Sequence, residues 1–470
     1  MRKRWVTAAV AVALSATGTH GVGAARTLTA LASPGQEWPV YGADLANSRT
    51  STAGPARSSV GRLHVAWRDI FPDGDFTGTP VVSGGVAFVG SNGGIVRAIQ
   101  ATAGSVHAPG AVLWATKVAG PVNGSLAVAA GTVYVPVARL GSPELVALSA
   151  ATGQQEWATV IDSSSPDADL YGSPVPVNLP GTATTLVLQG VSAVNGDPAS
   201  PLRNSVSGVD ASSGTVVWKT YMVPPGFNGG AVWSTPAVDT STGSVFVGTG
   251  NAYSGKAAPT TDSMVKLDLA TGTLLGWYQA TAGDVFSSST PGLDFDFGAS
   301  PNLISAGGRD LVGEGQKGGV YWALDRSTMK PVWHTTVGVG SAAGGILGST
   351  AYDATTGRIV GPESLPGYLW SLNAAGGSIN WLIPIGVDLV HLTPVSISNG
   401  VAYSVATTGF LEALDEATGL PLALLPLNPI PPQGGYTLGV GSGVAIADGL
   451  VIADAGSGQN GNGIVVAFTA

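Results

Sequence analysis

One phrase recurs along this chain and restricts what it can fold into. It is an apolar run closing on Leu-Asp or a near variant, a turn of the Thr-Gly type, and a further run carrying a tryptophan. It reads LVALSAATGQQEW at 145–157, SGVDASSGTVVW at 207–218, VKLDLATGTLLGW at 265–277, YWALDRSTMKPVW at 321–333, LWSLNAAGGSINW at 369–381 and LEALDEATGLPLAL at 411–424. Degenerate copies lie at 96–114 and, as LHVAW, at 63–67. Successive copies end at 67, 114, 157, 218, 277, 333, 381 and about 425, a period of 43 to 61 residues. Self-similarity at that period is the mark of an array in which no unit can bury its apolar surface alone. Short strands with alternating apolar residues, each set closed by a tight turn, predict a four-stranded blade packed between its neighbours. In the turn, Asp accepts from backbone amides and Gly supplies positive φ. The recurring Trp is expected to fill space between blades.

Eight copies predict an all-β, eight-bladed β-propeller over 61–470. The C-terminal stretch supplies only three strands, at about 444–447, 450–453 and 463–469. The missing fourth is expected from 63–70, which would close the ring and remove its open edges.

Composition agrees with this and excludes other classes. Of 470 residues only 49 are charged, 44% are hydrophobic and 69 are Gly, which is too apolar for a disordered chain and too rich in turn residues for a helical bundle. The formal net charge of -9 argues against a nucleic-acid partner, which needs a basic face. With no Cys, disulfides, zinc–thiolate sites, iron–sulfur clusters and covalently attached haem are excluded.

Residues 1–32 read as a secretory signal peptide. Arg2, Lys3 and Arg4 precede an apolar run at 5–14 too short to span a bilayer, followed by small-residue cleavage points near Ala25 and Ala32. A retained N-terminal anchor is the alternative. No later segment reaches membrane-spanning length uninterrupted. The expectation is a secreted protein, extracellular or periplasmic, with an N-terminal lead-in segment at 33–60 before the propeller and no membrane span in the mature form.

Three long blocks depart from the repeat and place polar residues at strand ends. In VFVGTGN, Asn251 sits where the innermost strand is expected to meet a loop at the channel mouth, and its amide oxygen could ligate a hard cation; an Asn in a turn is the alternative. In LDFDFG, Asp294 and Asp296 would point to the same side of an extended strand, and two adjacent carboxylates call for a cation or a shared proton; the alternative is a solvated acidic turn. In GEGQKGGVYWALD, Lys317 occupies a Gly-rich turn before a strand and could hold an ammonium over the channel, or be a surface Lys. Trp233, in GGAVWSTPAVD, stands outside the repeat and offers a flat ring at the channel floor.

The repeat resembles that of the eight-bladed pyrroloquinoline-quinone (PQQ) propellers. The lead-in WPVYGADLANSRTS and the blocks AVWSTPAVDTSTGSVFVGTGNAYS, TAGDVFSSSTPGLDFDFGASPNL and GQKGGVYWALDR resemble, within that group, the catalytic propeller of polyvinyl-alcohol dehydrogenases. The resemblance implies that Trp233 stacks on PQQ, that Asn251 and Asp294 approach a Ca²⁺ or lanthanide ion with Asp296 as an extra acid nearby, that Asp294 is the general base, and that Lys317 bonds the quinone oxygens. It implies oxidation of a small or polymeric alcohol by hydride transfer to the quinone, with electrons leaving to a separate acceptor such as a cytochrome c.

The sequence departs from the family in places. Where relatives offer a Glu as third metal ligand, LQGVSAVNGDPASP offers Asn195 or Asp197. The adjacent-Cys disulfide of many relatives cannot form. No arginine clearly matches the one that pairs with a PQQ carboxylate, with Arg97 and Arg139 as candidates. Two G-x-G-x-x-G matches, at 313–318 and 456–461, lead into strands instead of helices and read as turns. The five His are scattered without metal-ligand spacing. The competing reading is a non-catalytic secreted propeller that binds a protein or polysaccharide through its loops.

Overall fold

The computed structural model describes residues 37–104, 106–193, 200–384, 390–428, 442–457 and 462–470. The expected signal peptide therefore lies outside the described residues. Eight sheets follow one another along the chain, each of four antiparallel strands, with Thr50–Ser51 of the lead-in adding a parallel fifth strand to blade 7. In each, the short first strand is innermost and the fourth outermost; blade 4, for example, runs Ala237–Asp239, Ser244–Gly248, Ser263–Asp268 and Leu274–Gln279. Among the described residues the only helical element is a 3-10 turn at Arg57–Arg62. The eighth blade takes Val444–Ala447, Leu450–Ser457 and Asn462–Thr469 from the C-terminus and His64–Phe71 from the N-terminal side as its outer strand, so the ring closes as the sequence predicts.

The repeated turn works as its chemistry dictates. In blade 4, Asp268 Oδ1 accepts from the backbone N–H of Ala270 and Thr271, and Gly272 takes a φ of +70°. That glycine also forms a seat for the preceding blade. A β-carbon on Gly272 would overlap the Trp218 ring, and Trp218 Nε1 donates to Leu269 O at 3.2 Å. The same docking joins Trp114 to Gly153, Trp157 to Gly214 and Trp381 to Gly419, with indole N–H bonds to Ala150 O, Ala211 O and Glu416 O. At these junctions a blade is pinned to the next by one flat ring resting on bare backbone.

The junction of blades 4 and 5 departs from the pattern through its turn. The turn of blade 5 reads DRSTM, so Met329 occupies the glycine position with a φ of +57°, and its side chain is buried. Trp277 is denied its seat and stands 44% exposed, contrary to the expectation that every repeat Trp is core. Arg326 of the same turn bridges the two blades instead, pairing with Asp239 at 3.0 Å and donating to Ile304 O.

The lead-in segment is more than an approach to the ring. Residues 38–53 pass from blade to blade across the inner strands, exchanging backbone bonds with Val82, Val128, Val238, Leu303, Tyr352, Ile397 and Gly449. Asn47 Nδ2 donates to Thr235 O, Pro236 O and Pro301 O. Arg49, fully buried, donates to Val395 O, Tyr41 O and Ser396 Oγ and lies over the Tyr41 ring. This strap plugs the channel with a desolvated guanidinium; burial pulls its pKa down to about 10, so it stays charged at neutral pH.

Candidate functional site

The three unusual blocks converge at the junction of blades 4 and 5. They line a cavity of about 400 Å³ that includes Trp233, Asn251, Asp294, Asp296 and Lys317, five of the six residues singled out from sequence. The sixth, Asn195, lies with Asp197 outside the described residues.

Backbone context explains each position. Trp233 precedes the inner strand of blade 4, its indole resting against Gly298, where a β-carbon would overlap the ring. Lys317 sits in the turn after Arg309–Gln316, as expected. Asn251 follows Ser244–Gly248, which is the second strand of its blade and not the innermost one. Its Nδ2 donates to Ala252 O and Phe286 O, at 2.6 and 2.7 Å. Oδ1, with no donor among the described residues, is the atom left for a ligand.

Asp294 and Asp296 do not lie on an extended strand. The segment 291–298 is irregular, and Asp294 takes a φ of +56°, a strained conformation for an L-residue. Asp284, which sequence reasoning missed although it lies in a quoted block, imposes this path. Its Oδ1 accepts from Leu293 N at 3.1 Å and its Oδ2 from Phe295 N at 2.9 Å, gripping the chain on both sides of Asp294. Gln316 Nε2 donates to Phe295 O, and Lys317 N to Asp296 O. The bent loop still brings both carboxylates to the cavity, for a different reason from the one their spacing suggests.

The electrostatics follow from this crowding. Lys317 Nζ lies 2.7 Å from Asp294 Oδ2, 3.9 Å from Asp296 Oδ2 and 5.5 Å from the centre of the Trp233 ring. Burial and the Asp296 charge push the Asp294 carboxyl up to about 7, against the opposing pull of Lys317. Burial works against the Lys317 ammonium, but Asp296 and Asp294 outweigh it and hold its pKa above the ordinary value. The site therefore offers a strained carboxylate poised near neutrality, a firmly protonated ammonium, an amide oxygen and a flat ring.

Neither candidate arginine joins them. Arg97 pairs with Asp73 at 2.6 Å and stacks on Phe71, tying blade 1 to the closing strand, while Arg139 pairs with Glu144 at an exposed position. Ser192 and Ala193 line the cavity just before the undescribed 194–199 stretch where a third ligand was sought. Among the described residues, no three His, Asp or Glu side chains are grouped to hold a metal by themselves, and no helix is long and apolar enough to cross a membrane.

Comparison with known proteins gives consistent results. The profile of the PQQ_2 family, described as outer membrane protein assembly factor BamB, matches residues 64–335 and 202–388. The chain is 27% identical over 416 residues to a polyvinylalcohol dehydrogenase of Sphingopyxis sp. (strain 113P3), covering 77% of this chain and 62% of the relative. It is 30% identical over 364 residues to a polyvinylalcohol dehydrogenase of a Pseudomonas sp., covering 69% of this chain and 54% of the relative. It thus spans little more than half the length of these proteins. The quinohemoprotein alcohol dehydrogenase of Comamonas testosteroni superposes with a TM-score of 0.75 at 19% identity, over 93% of this chain and 81% of that one, a likeness of fold.

Proposed function

The chain belongs to the PQQ_2 family of β-propellers, and from that premise we propose that it is a PQQ-dependent dehydrogenase of alcohols, polyvinyl-alcohol-like or other primary and secondary alcohols. The observation that carries this reading is the Lys317–Asp294 ion pair, its ammonium over the Trp233 ring, in one cavity with Asn251. The residues fit the cofactor: a cavity of about 400 Å³ is large enough for a planar tricycle, the Trp233 indole would be its floor and the Lys317 ammonium would be a donor to its oxygens. Amide and carboxylate oxygens suit Ca²⁺ or a lanthanide, whose shell of 6–8 ligands the cofactor and water would complete around Asn251 and Asp294, with Asp296 adding negative charge nearby.

Bound PQQ supplies the hydride acceptor. Asp294 would take the alcohol's hydroxyl proton, with Lys317 and the ion keeping its carboxyl ionised. Lys317 donates hydrogen bonds to the developing negative charge, and its raised pKa keeps it a donor throughout. Asn251 would offer its amide oxygen to the ion. Secretion, and a separate electron acceptor such as a cytochrome c, complete the proposal.

The test is titration of the purified protein with PQQ plus Ca²⁺ or a lanthanide, read by thermal shift and by dye-linked alcohol oxidation. Saturation at 100 Kd stabilises the fold by about 2.7 kcal/mol. No shift with any of these ions, and no oxidation, would favour a non-catalytic scaffold.

A further inference from the structure

Asp296 was expected beside a metal, yet its two oxygens are engaged elsewhere. Oδ2 accepts the indole N–H of Trp233 at 3.2 Å, and Oδ1 accepts the backbone N–H of Asn251 at 2.8 Å. The carboxylate lies flat on Gly250, where a β-carbon would sit 2.9–3.0 Å from its atoms, so bare backbone is required beneath it. Its own carbonyl is held by Lys317 N, and Lys317 Nζ stays 3.9 Å away because it bonds Asp294.

The ring, for its part, has no other hydrogen bond. Trp233 is half-buried, its benzo edge fills the space that Gly298 leaves open, and one face remains toward the cavity. A ring held only by packing can tilt about the bonds of its side chain, and a charge-assisted bond at Nε1 removes that freedom.

We propose that Asp296 is a positioning residue: it fixes the plane of the Trp233 stacking floor and locks it to the peptide of Asn251, so that the ring that would carry a planar ligand and the amide that would face an ion move as one unit. This deepens the PQQ reading and rests on it for the identity of the ligand, but the link between the three residues is a property of the empty protein. It assigns Asp296 a role through Trp233 and Asn251, with no ion of its own.

A double-mutant cycle decides between the two roles. Asp296→Ala is made in the parent and in Trp233→Phe, which keeps a stacking ring but lacks the N–H. PQQ affinity and the Ca²⁺ concentration for half-maximal binding are measured separately by equilibrium titration. Loss of a charge-assisted bond should weaken PQQ binding about tenfold or more in the parent. It should weaken it clearly less in the Trp233→Phe background, where only the bond to the Asn251 peptide is left to lose, and raise the Ca²⁺ requirement by less than about threefold. Asp296→Asn, which keeps one acceptor oxygen, should fall between. Equal losses in both backgrounds, or a tenfold rise in the Ca²⁺ requirement, would overturn the proposal in favour of an ion ligand.

The same cycle is read in the cofactor-free proteins by near-ultraviolet circular dichroism. The change caused by Asp296→Ala should vanish in the Trp233→Phe background; the same change in both would also overturn the proposal. If the parent binds no PQQ, the functional reading fails while this arm still decides whether Asp296 orients the ring.

Discussion

The blade junctions can be tested by filling one seat. Gly272→Ala puts a methyl group against Trp218, whose ring is only 8% exposed. Three effects accumulate. An alanine at a φ of +70° costs about 1–2 kcal/mol. Expelling the indole breaks its bond to Leu269 O, worth about 1 kcal/mol. If the ring moves out to the 44% exposure of Trp277, about 70–80 Å² of its surface meets water, about 2 kcal/mol at 25 cal/mol per Å². The expected loss is about 4–5 kcal/mol. Gly243→Ala is the control in the same blade: φ is +62° and nothing lies within 4 Å of the added carbon, so only the backbone cost of about 1–2 kcal/mol applies. The assay is urea unfolding of both variants, in the parent and with Trp218→Ala, where the Gly272 variant should cost no more than the control. A Gly272→Ala protein as stable as Gly243→Ala in the parent would refute the docking account.

Three further outcomes are expected. Asp294→Asn should lower dye-linked alcohol oxidation about 10²-fold or more while PQQ binding falls less, since the base is lost and Trp233 and Lys317 remain; oxidation at the parent rate would remove Asp294 from the mechanism. Glu314 is fully buried with neither carboxyl oxygen bonded, and burial raises its pKa well above the usual value; its contribution is therefore present below about pH 4.5 and lost as pH rises toward the folded-state pKa. Glu314→Gln should flatten that slope, gaining stability over the parent at pH 8 relative to pH 4 in urea midpoints, and an unchanged slope would contradict it. Deleting residues up to Ser33 should leave the melting temperature unchanged, deletion up to Arg62 should lower it by removing the strap, and deletion through Phe71 should cause aggregation by also opening the ring; equal melting temperatures for all three would disprove both strap and closure.

The fold was legible because its information is local and repeated: Asp268, Gly272 and the next turn's equivalents each declare a strand pair, and the deficit of one strand at the C-terminus pointed to His64–Phe71. Trp277 shows where local reading fails, since its exposure depends on Met329, 52 residues on, replacing a glycine in another blade. The candidate site was legible as a set of residues lining one cavity because Trp233, Asn251 and Lys317 break the repeat. Its geometry was not. The period-two argument for Asp294 and Asp296 presumed a strand, and the actual path is set by Asp284 hydrogen bonds that no spacing encodes. Arg49 carried no motif at all, being defined by what surrounds it.

The strap also sets the order in which this molecule can be completed. Arg49 bonds Val395 across 346 residues, and Ala53 accepts from Gly449 in the last blade. A chain made from its N-terminus produces the strap first and its partners blade by blade, so Trp38 can pair with Val82 early while Ala53 must wait through the synthesis of seven blades. Closing so long a loop is entropically costly before any contact rewards it, and folds dominated by such separations form slowly. The strap is thus completed only when blades 7 and 8 supply Val395, Ser396 and Gly449, which ties its last contacts to the last blades made.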